Sequence, residues 1–335
     1  MKICVIRADK MGDMILTFPV IEGLKEANNN TNIDVICSQT NLKICNKFKS
    51  ISKIILLQKS FPKILKTIQQ IRNENYDYIF TFSPGIISIL ISIFSKSKIK
   101  SLLILQSRYK NSFSSKLLEI IIGKLFYKNY KVINRQKNFL QNNSIHQTQL
   151  MNELVKESGL KTNDNQDIKH LFQLEKANYS LENLCLVHLS SKWINKYFSE
   201  DSFINLIDRL KNSNINIIMT SDESSKNVFN KIYKSYNIIK NEQFKNLKEI
   251  NEILILDKLS FDNWIKIINS SSYVITPECG CTHIASISDC KLCVIYDADN
   301  LPDMISNEYA PWKKSYTKLL SNDKKLEEKI LSFAN

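Results

Sequence analysis

A short turn near the carboxyl end of the chain carries residue types suited to binding a phosphate group. Within Tyr273–Tyr296 (YVITPECGCTHIASISDCKLCVIY), an apolar run ends at Thr276, a turn containing Glu278 and Gly280 follows, and His283 opens a helix of small residues. Glycine lets the backbone approach a ligand closely, and a helix N-terminus offers free N–H groups to a phosphate. With the apolar run that closes it, the segment predicts a βαβ unit.

The first residues of the chain show a similar arrangement. An apolar, β-branched run, Lys2–Arg7 (KICVIR), is followed by a polar loop, Ala8–Asp13 (ADKMGD), and then by apolar side chains at helical spacing. This order predicts a strand, a glycine loop and a helix that begins at Asp13. A carboxylate there can cap free N–H groups and is stabilised by the helix dipole, so Asp13 is either a cap alone or part of a half-site. Two such turns, one in each half, predict two Rossmann-like domains facing a cleft.

The elements that position these turns belong to a folded protein with two domains. The chain has 335 residues, of which 43% are hydrophobic and 24% are charged, and this length favours two domains. The most apolar stretch, Ile86–Phe94 (IISILISIF), is shorter than the roughly 18 residues that cross a bilayer. Eight cysteines are scattered, and no second pair joins Cys279 and Cys281 to complete a zinc site. We therefore expect a cytoplasmic protein without a secretory signal and with reduced thiols.

Strand and helix signals alternate in both halves, which predicts parallel sheets covered by helices. We expect domains at residues 1–165 and 181–322, joined through a polar segment, and a final helix within residues 323–335. The expected strands outside the βαβ unit are 2–7, 33–37, 51–57, 76–82, 101–105, 184–189, 215–220 and 252–256. Among the expected helices, one covers residues 13–27 and another covers residues 221–236.

The positive charge of the chain is concentrated in its first half. Residues 1–150 have a net charge of +15, whereas residues 151–335 have a net charge of −2. Between Lys96 and Lys137 there are eleven basic residues and one acid, Glu119, interleaved with apolar side chains. Such a surface attracts nucleic acid, anionic lipid headgroups or a phosphorylated glycolipid. A generally lysine-rich composition is the alternative explanation, although the second half shares that composition and is not basic.

Four blocks of the sequence, in this order, resemble glycosyltransferase family 9, the ADP-heptose:lipopolysaccharide heptosyltransferases. Arg7–Asp13 is similar to the strand, loop and Gly-Asp start of that family, and Lys258–Ser260 is similar to the turn before its last βαβ unit. His188–Ser191 followed by Lys196–Phe198 resembles the element H-x-T/S-T/S…K-x-W, and Glu278–His283 resembles D-T-G-x-x-H. The resemblance implies an α/β protein with the GT-B fold: two Rossmann-like domains with parallel sheets facing a central cleft, the donor bound mainly by the second.

The resemblance also implies roles for individual residues. Asp13 matches the general base, which takes a proton from the acceptor hydroxyl as that oxygen attacks the anomeric carbon in an inverting transfer. Lys196 matches the lysine that offsets the charge developing on the leaving ADP. Arg7 and Lys10, next to the base, could hold an anionic acceptor. The residues implied in donor binding are Ser190, Ser191 and Gly280 at the phosphates, His283 beside them, Glu223 at the ribose or sugar, Leu259 at the adenine, and Glu278 and Cys279 in the last motif.

Four departures from the family pattern bear on the identity of the donor. Glu278 and Cys279 replace the usual Asp and Thr, Phe198 stands where Trp is typical, and Asp297 stands where a glycine often ends the last strand. A transferase that uses a different nucleotide-sugar donor on the same fold is therefore an alternative to one that uses ADP-heptose.

Two further alternatives concern the class of protein. One is a non-catalytic α/β protein that binds polyanions or nucleic acid, which the basic half favours but for which the sequence has no recognisable motif or aromatic stacking platform. The other is a GT-B-like epimerase or an inactive homologue. We expect as partners a nucleotide-sugar donor, an anionic glycolipid acceptor and the inner leaflet of the inner membrane, and no nucleic acid. The expected chemistry requires no cofactor or metal, although it is compatible with a loosely held Mg²⁺.

Overall fold

A computed structural model of the chain describes residues 1–83, 85–106, 117–177, 183–212, 215–221, 227–241 and 252–334. The chain divides into two compact units. The first comprises residues 1–173 and 307–310, and the second comprises residues 174–306 and 311–335. The return of residues 307–310 to the first unit has no counterpart in the sequence prediction.

The first unit contains a six-stranded parallel sheet in the order β3-β2-β1-β4-β5-β6. Its strands are β1 (Lys2–Arg7), β2 (Asn32–Cys37), β3 (Lys53–Leu56), β4 (Tyr76–Thr81), β5 (Ser97–Leu105) and β6 (Asn129–Ile133). The central strand β1 is buried from Ile3 to Arg7, as expected for a parallel strand covered on both faces. This strand order is that of a Rossmann sheet, and β6 is the one strand of it that the sequence did not predict.

Helices cover both faces of this sheet. They are α1 (Met11–Ile15), α2 (Phe18–Ala27), α3 (Gln39–Cys45), α4 (Phe61–Glu74), α5 (Ile86–Phe94), α6 (Leu117–Phe126), α7 (Arg135–Leu140) and α8 (Gln147–Glu157). The predicted helix over residues 13–27 is two helices, because Pro19 stands at the start of α2, where its missing N–H and fixed φ favour a new helix start. The connections from β3 to β4, β5 and β6 all run in one direction, so right-handed crossovers place α4, α5 and α6 on one face.

The second unit contains a seven-stranded parallel sheet in the order β13-β12-β11-β7-β8-β10-β9. Its strands are β7 (Leu184–Leu189), β8 (Asn216–Ser221), β9 (Asn237–Lys240), β10 (Leu254–Asp257), β11 (Tyr273–Pro277), β12 (Lys291–Tyr296) and β13 (Thr317–Leu320). The two parallel sheets confirm the predicted α/β fold class. The sequence did not predict β9 and β13, which are four residues each and lie at the two edges.

The helices of the second unit are α9 (Glu200–Lys211), α10 (Ile232–Ser235), α11 (Phe261–Ser270), α12 (Gly280–Ser286), α13 (Pro302–Glu308), whose last two residues belong to the first unit, and α14 (Leu326–Ala334). The predicted helix over residues 221–236 is wrong for most of the part that the structure describes. Residues 222–226 lie outside the described residues, Ser221 ends β8, and only Ile232–Ser235 is helical. The core packs buried aromatic rings, with the ring centroids of Trp193 and Phe203 4.9 Å apart.

In the described part of the chain, no helix combines the length and the hydropathy that a membrane span needs.

Candidate functional site

One group of predicted site residues lies where the strand order of the first unit changes direction, between β1 and β4. In open α/β sheets, ligands bind outside the carboxyl ends of the strands at such a switch point. Arg7 is the last residue of β1, Phe82 follows β4 directly, and the helix α1, which carries Asp13, begins four residues after β1. The fold therefore brings a buried cation and a helix-borne carboxylate to the edge where ligands bind.

Arg7 connects the carboxylates of this half-site. Its side chain is only 1% exposed, with Nη2 3.1 Å from Asp13 Oδ1 and Nε 3.0 Å from Asp9 Oδ1. Arg7 Nη1 also donates a hydrogen bond to the carbonyl oxygen of Phe82, and Asn41 Nδ2 donates to the Arg7 carbonyl oxygen at 3.3 Å. The buried Arg7 thus orients Asp13 through this contact, whereas the sequence predicted that Arg7 itself holds an anionic acceptor.

Burial, together with the charges near Arg7, raises the pKa of Asp9. Burial raises the pKa of Asp9 to about 6; the nearby Arg7 opposes this rise, the negative charge of Asp13 adds to it, and Lys10 opposes it more weakly. Burial favours neutral Arg7, but the charges of Asp9 and Asp13 outweigh it and raise the pKa of the guanidinium. Asp9 therefore changes its charge near pH 6 while Arg7 stays cationic. Lys10 is exposed on the same loop, where an acceptor can reach it.

A cavity of about 610 Å³ adjoins this half-site within the first unit. It lies beyond the carboxyl ends of β1, β2 and β3, and its lining includes Asp9, Ser38, Lys59, Ser60 and Lys63. Both lysines are exposed, so the cavity combines hydroxyl groups with two mobile cations. Sequence reasoning missed Lys59 and Lys63, because nothing in their local pattern separates them from other surface lysines.

Another group of predicted site residues lies at the corresponding switch point of the second unit, between β7 and β11. Ser190 and Ser191 follow β7, and Glu278 and Gly280 follow β11, so the structure brings these predicted residues to one edge. Lys192 connects the two loops: its Nζ lies 3.0 Å from Glu278 Oε2 and donates to the Glu278 carbonyl oxygen. Sequence reasoning missed Lys192, although it directly follows the two serines.

A single turn of π-helix, Trp193–Tyr197, positions the second lysine of this loop. Its closing bond runs from Phe198 N to the carbonyl oxygen of Trp193 at 2.8 Å. Trp193 is buried, and its Nε1 donates to the carbonyl oxygen of His188 at 2.9 Å. Lys196, 47% exposed, extends from this turn to Asp297, with Nζ 3.0 Å from Oδ2. Single π-turns are frequent at functional sites, and this one is anchored by a core tryptophan.

The two lysines of this half-site are each paired with an acid that departs from the family pattern. Glu278 pairs with Lys192, and Asp297, which follows β12, pairs with Lys196. The four side chains therefore balance one another in charge. A polyanionic ligand that binds here would compete with both carboxylates for the lysines. Carboxylates displaced in this way could accept hydrogen bonds from hydroxyl groups.

The loop after β11 has an open backbone. A Cβ atom built on Gly280 would meet no atom within 4 Å, so a ligand has room to approach the backbone there. Cys279 N donates to Thr282 Oγ1 at 3.3 Å, and burial raises the pKa of the Cys279 thiol, which keeps it neutral. His283 is buried in α12. Within the described ranges, no three His, Cys, Asp or Glu side chains gather as metal ligands.

Of the two other residues predicted to bind the donor, the structure describes only Leu259. Leu259 is half-buried and lies between β10 and α11, after Lys258, whose φ of 52° forms a left-handed turn. Glu223 lies outside the described residues. Close to Leu259 in sequence, Trp264 on α11 has its ring centroid 5.6 Å from that of His188, and His188 Nδ1 lies 3.1 Å from Thr220 Oγ1.

The sequence matches one family model over most of its length. The model of glycosyltransferase family 9 (heptosyltransferase) matches residues 64–331. No curated protein matches the chain.

Several solved structures have a similar fold. The structure of E. coli heptosyltransferase WaaC with ADP is 14% identical, with 99% of this chain and 98% of that chain covered and a TM-score of 0.71. The glycosyl transferase family 9 protein from Veillonella parvula is 14% identical, with 100% and 91% covered and a TM-score of 0.73. The E. coli ADP-heptose lps heptosyltransferase II is 12% identical, with 99% and 97% covered and a TM-score of 0.71. At these identities the likeness shows the fold, which is the GT-B fold of two Rossmann-like domains.

Proposed function

This chain belongs to glycosyltransferase family 9, and from that premise we propose that it transfers a heptose or a related sugar from ADP-heptose to an anionic glycolipid. The acceptor we propose is a lipopolysaccharide core or a related glycan. The transfer is inverting, because one carboxylate activates the acceptor and no second one is needed as a nucleophile. The observation that carries this proposal is the pairing of Asp13 with the buried Arg7 at the ligand-binding edge of the first sheet.

Asp13 is the general base of the proposed reaction. Its carboxylate takes the proton from the acceptor hydroxyl as that oxygen bonds to the anomeric carbon. The bond between the anomeric carbon and the donor phosphate breaks in the same displacement, and its electron pair leaves with ADP. Arg7 Nη2 lies 3.1 Å from Asp13 Oδ1, which holds the carboxylate in one orientation for the acceptor hydroxyl.

The second unit binds the donor. Lys192 and Lys196 leave their acid partners to bind the diphosphate, where they offset the charge that develops on ADP. Ser190 and Ser191 donate hydroxyl hydrogen bonds to the same phosphates, and the open backbone at Gly280 lets a phosphate approach closely. Among the similar structures, one is described with ADP and another is named for ADP-heptose, which supports an ADP-sugar as the donor.

The remaining donor residues surround the nucleoside and the sugar. We place Leu259 against the adenine and His283 beside the phosphates, and Glu223 keeps its proposed contact with the ribose or sugar. Glu278, freed from Lys192, accepts hydrogen bonds from sugar hydroxyls, and Cys279 lies beside it as a neutral thiol. Two lysines supply the positive charge at the diphosphate, so the reaction requires no cofactor or metal, and a loosely held Mg²⁺ is compatible with it.

The acceptor binds the first unit. Lys10 is exposed beside the base, and Lys59 and Lys63 line the cavity next to Asp9. Two cations in the cavity and a third on the loop that carries Asp9 suit an acceptor with phosphate or carboxylate groups. Such an acceptor is embedded in a membrane, and we propose that the protein works at the inner face of the inner membrane.

Release of ADP from ADP-heptose, measured with and without a lipid A–Kdo acceptor, tests this function. We expect release to depend on the acceptor and to fall about 10²- to 10⁴-fold in Asp13→Asn, the usual contribution of a general base. Nucleotide affinity should stay within a few-fold, because Asp13 belongs to the acceptor side. If Asp13→Asn transfers at the wild-type rate, Asp13 is not the base. A variant that loses nucleotide binding also excludes this role.

A second candidate donor follows from the acids of the donor half-site. Glu278 and Asp297 lie where the family usually has a shorter acid and a glycine, and both reach the lysines of the site. A different nucleotide-sugar whose hydroxyl groups engage these carboxylates would use the same fold and the same base.

A further inference from the structure

The exposed hydrophobic side chains of the described residues are concentrated on one part of the first unit. Of fourteen large ones, ten lie on α4, α5 and α6. On α5 and α6 they recur every four residues, which puts them in one stripe along each helix. The two stripes are Ile86, Leu90 and Phe94 on α5, and Leu117, Ile121 and Leu125 on α6.

These three helices form one surface, which we call the apolar layer. Ile71 of α4 and Ile91 of α5 pack into one cluster on the sheet, whereas Ile89 of α5 packs into a second cluster with Ile120 of α6. The hydroxyl of Tyr127, just after α6, also donates to the carbonyl oxygen of Ile89 at 3.4 Å. The inner sides of the helices are therefore held against the sheet, and their outer sides expose Phe94 by 56% and Leu125 by 68%.

Exposed lysines lie on and next to the helices of the apolar layer. Lys63 and Lys66 are exposed on α4, Lys96 and Lys98 follow α5, and Lys124 and Lys128 lie on and after α6. The acids nearby are Glu119, which is half-buried, Glu74, which pairs with Lys2 and Lys53, and Asp77, which pairs with Lys98. The exposed charge at the edge of the layer is therefore positive.

We propose that the apolar layer docks on an anionic lipid bilayer. A concentration of exposed apolar side chains marks an interaction site, and its partner must accept both these side chains and the neighbouring lysines. An anionic leaflet does so, because acyl chains take up the apolar side chains while lysine stems extend to the headgroups. A nucleic acid would leave the apolar stripes in water, and a second copy of this surface would bring like charges together.

This docking deepens the proposed function and rests on it for its purpose, because a lipid-linked acceptor has to be reached at a membrane. The apolar layer and Asp13 belong to the same unit, so the unit that takes the acceptor would also be the one that lies on the lipid. The binding itself needs neither donor nor acceptor, so it can be measured separately from transfer.

Sedimentation with vesicles tests the docking. The full chain is mixed at low salt with two kinds of vesicle, one of phosphatidylcholine alone and one in which part of the phosphatidylcholine is replaced by phosphatidylglycerol. We expect binding to the anionic vesicles, weakened by salt. Leu90→Gln combined with Leu125→Gln should weaken it about tenfold or more, since two apolar side chains lose their burial in lipid. The matched control is Ile238→Gln, an exposed isoleucine on β9 of the second unit, which should bind as the wild type does.

Two further readouts decide between this partner and others. Thermal unfolding and ADP binding are measured for each variant, because unchanged values show that the substitutions act on the surface alone. Absence of wild-type binding to anionic vesicles would overturn the proposal, and so would undiminished binding of Leu90→Gln/Leu125→Gln. If the lipid-free wild-type protein sediments as a dimer and the double variant sediments as a monomer, the apolar layer binds a second copy of the chain instead. A failure of ADP binding with intact vesicle binding would count against the transferase function and leave the docking standing.

Discussion

Lys196 Nζ lies 3.0 Å from Asp297 Oδ2, so the lysine assigned to the donor diphosphate is already paired with an acid from the end of β12. Lys192 is paired with Glu278 in the same way. In the donor half-site, each of the two lysines is therefore held by a carboxylate, which a bound diphosphate would displace. We expect the donor to bind in the same step that frees Glu278 and Asp297 to contact the sugar.

The two lysines should contribute separately to nucleotide affinity. We expect Lys192→Ala and Lys196→Ala each to weaken ADP binding about tenfold or more, since a hydrogen bond to a charged group contributes roughly 1.5–3 kcal/mol. Isothermal titration calorimetry measures this directly. Lys266→Ala is the matched control, because Lys266 is 33% exposed and pairs with Glu175 from the second half of α11. If Lys192→Ala binds ADP as the wild type does, Lys192 has only a structural role.

Removal of the acid beside Lys196 should have the opposite effect. Asp297→Asn keeps the shape of the side chain but abolishes the negative charge next to Lys196 Nζ. We expect ADP to bind several-fold more tightly, because the cation no longer exchanges a carboxylate for a phosphate and the repulsion by Asp297 is gone. The same titration measures the change. Weaker binding in this variant would mean that Asp297 positions Lys196 rather than competing for it.

Asp9 should make the stability of the first unit depend on pH. Its pKa is raised to about 6 in the folded protein, above roughly 3.9 in the unfolded chain, so the folded state binds a proton more tightly. The free energy of unfolding should therefore fall as the pH rises from about 4 to about 6. Asp9→Asn lacks this titration, and its stability should decrease less over that range. Urea unfolding of both proteins at pH 4, 5, 6 and 7 measures the difference, and parallel curves would contradict the raised pKa.

The return of residues 307–310 to the first unit should be secured by a buried ion pair. Arg135 Nε donates to Glu308 Oε2 at 2.8 Å, both side chains are buried, and His146 Nε2 lies 3.1 Å from the carbonyl oxygen of Ala310. We expect Glu308→Ala to lower the free energy of unfolding by about 3–5 kcal/mol, because it leaves a buried cation unpaired. Urea denaturation measures the loss.

An exposed ion pair provides the control for this prediction. Lys156 pairs with Asp164, and both side chains are well exposed. Lys156→Ala should cost only about 0–1 kcal/mol, since water and salt screen such a pair. A loss of similar size in Glu308→Ala and Lys156→Ala would show that residues 307–310 are not held by Arg135.

The sequence predicts the parts of the site that depend on local pattern. The apolar runs that end at Arg7 and Thr276, each followed by a polar glycine turn, predicted two strand–turn–helix units. The structure has strands that end at Arg7 and Pro277. The family resemblance brought Ser190, Lys196 and Glu278 to one donor half-site, and the structure places them around the ends of β7 and β11. The family and the fold class are confirmed, whereas the chemical roles of these residues stay predictions.

The sequence could not predict features that depend on packing between distant segments. The sequence predicted Arg7 as a cation at an anionic acceptor, and its local pattern could not show that Arg7 is buried and donates a hydrogen bond to Phe82, 75 residues away. Lys192 and Lys196 lie on one loop, and only the π-turn at Trp193–Tyr197 shows that each reaches a different acid. The apolar layer could not be predicted, because α5 buries its two serines, Ser88 and Ser92, and exposes the stripe from Ile86 to Phe94, the reverse of the usual amphipathic pattern.

The most direct test of the central claim is thermal stabilisation of the wild-type protein by ADP, UDP, GDP and CMP. A ligand at 100 times its dissociation constant adds about 2.7 kcal/mol to the stability of the protein that binds it. We expect stabilisation by ADP, reduced in Lys192→Ala and Lys196→Ala. Stabilisation by UDP or GDP instead would keep the transferase and replace the donor, whereas no stabilisation by any of the four would contradict a nucleotide-sugar-dependent transferase.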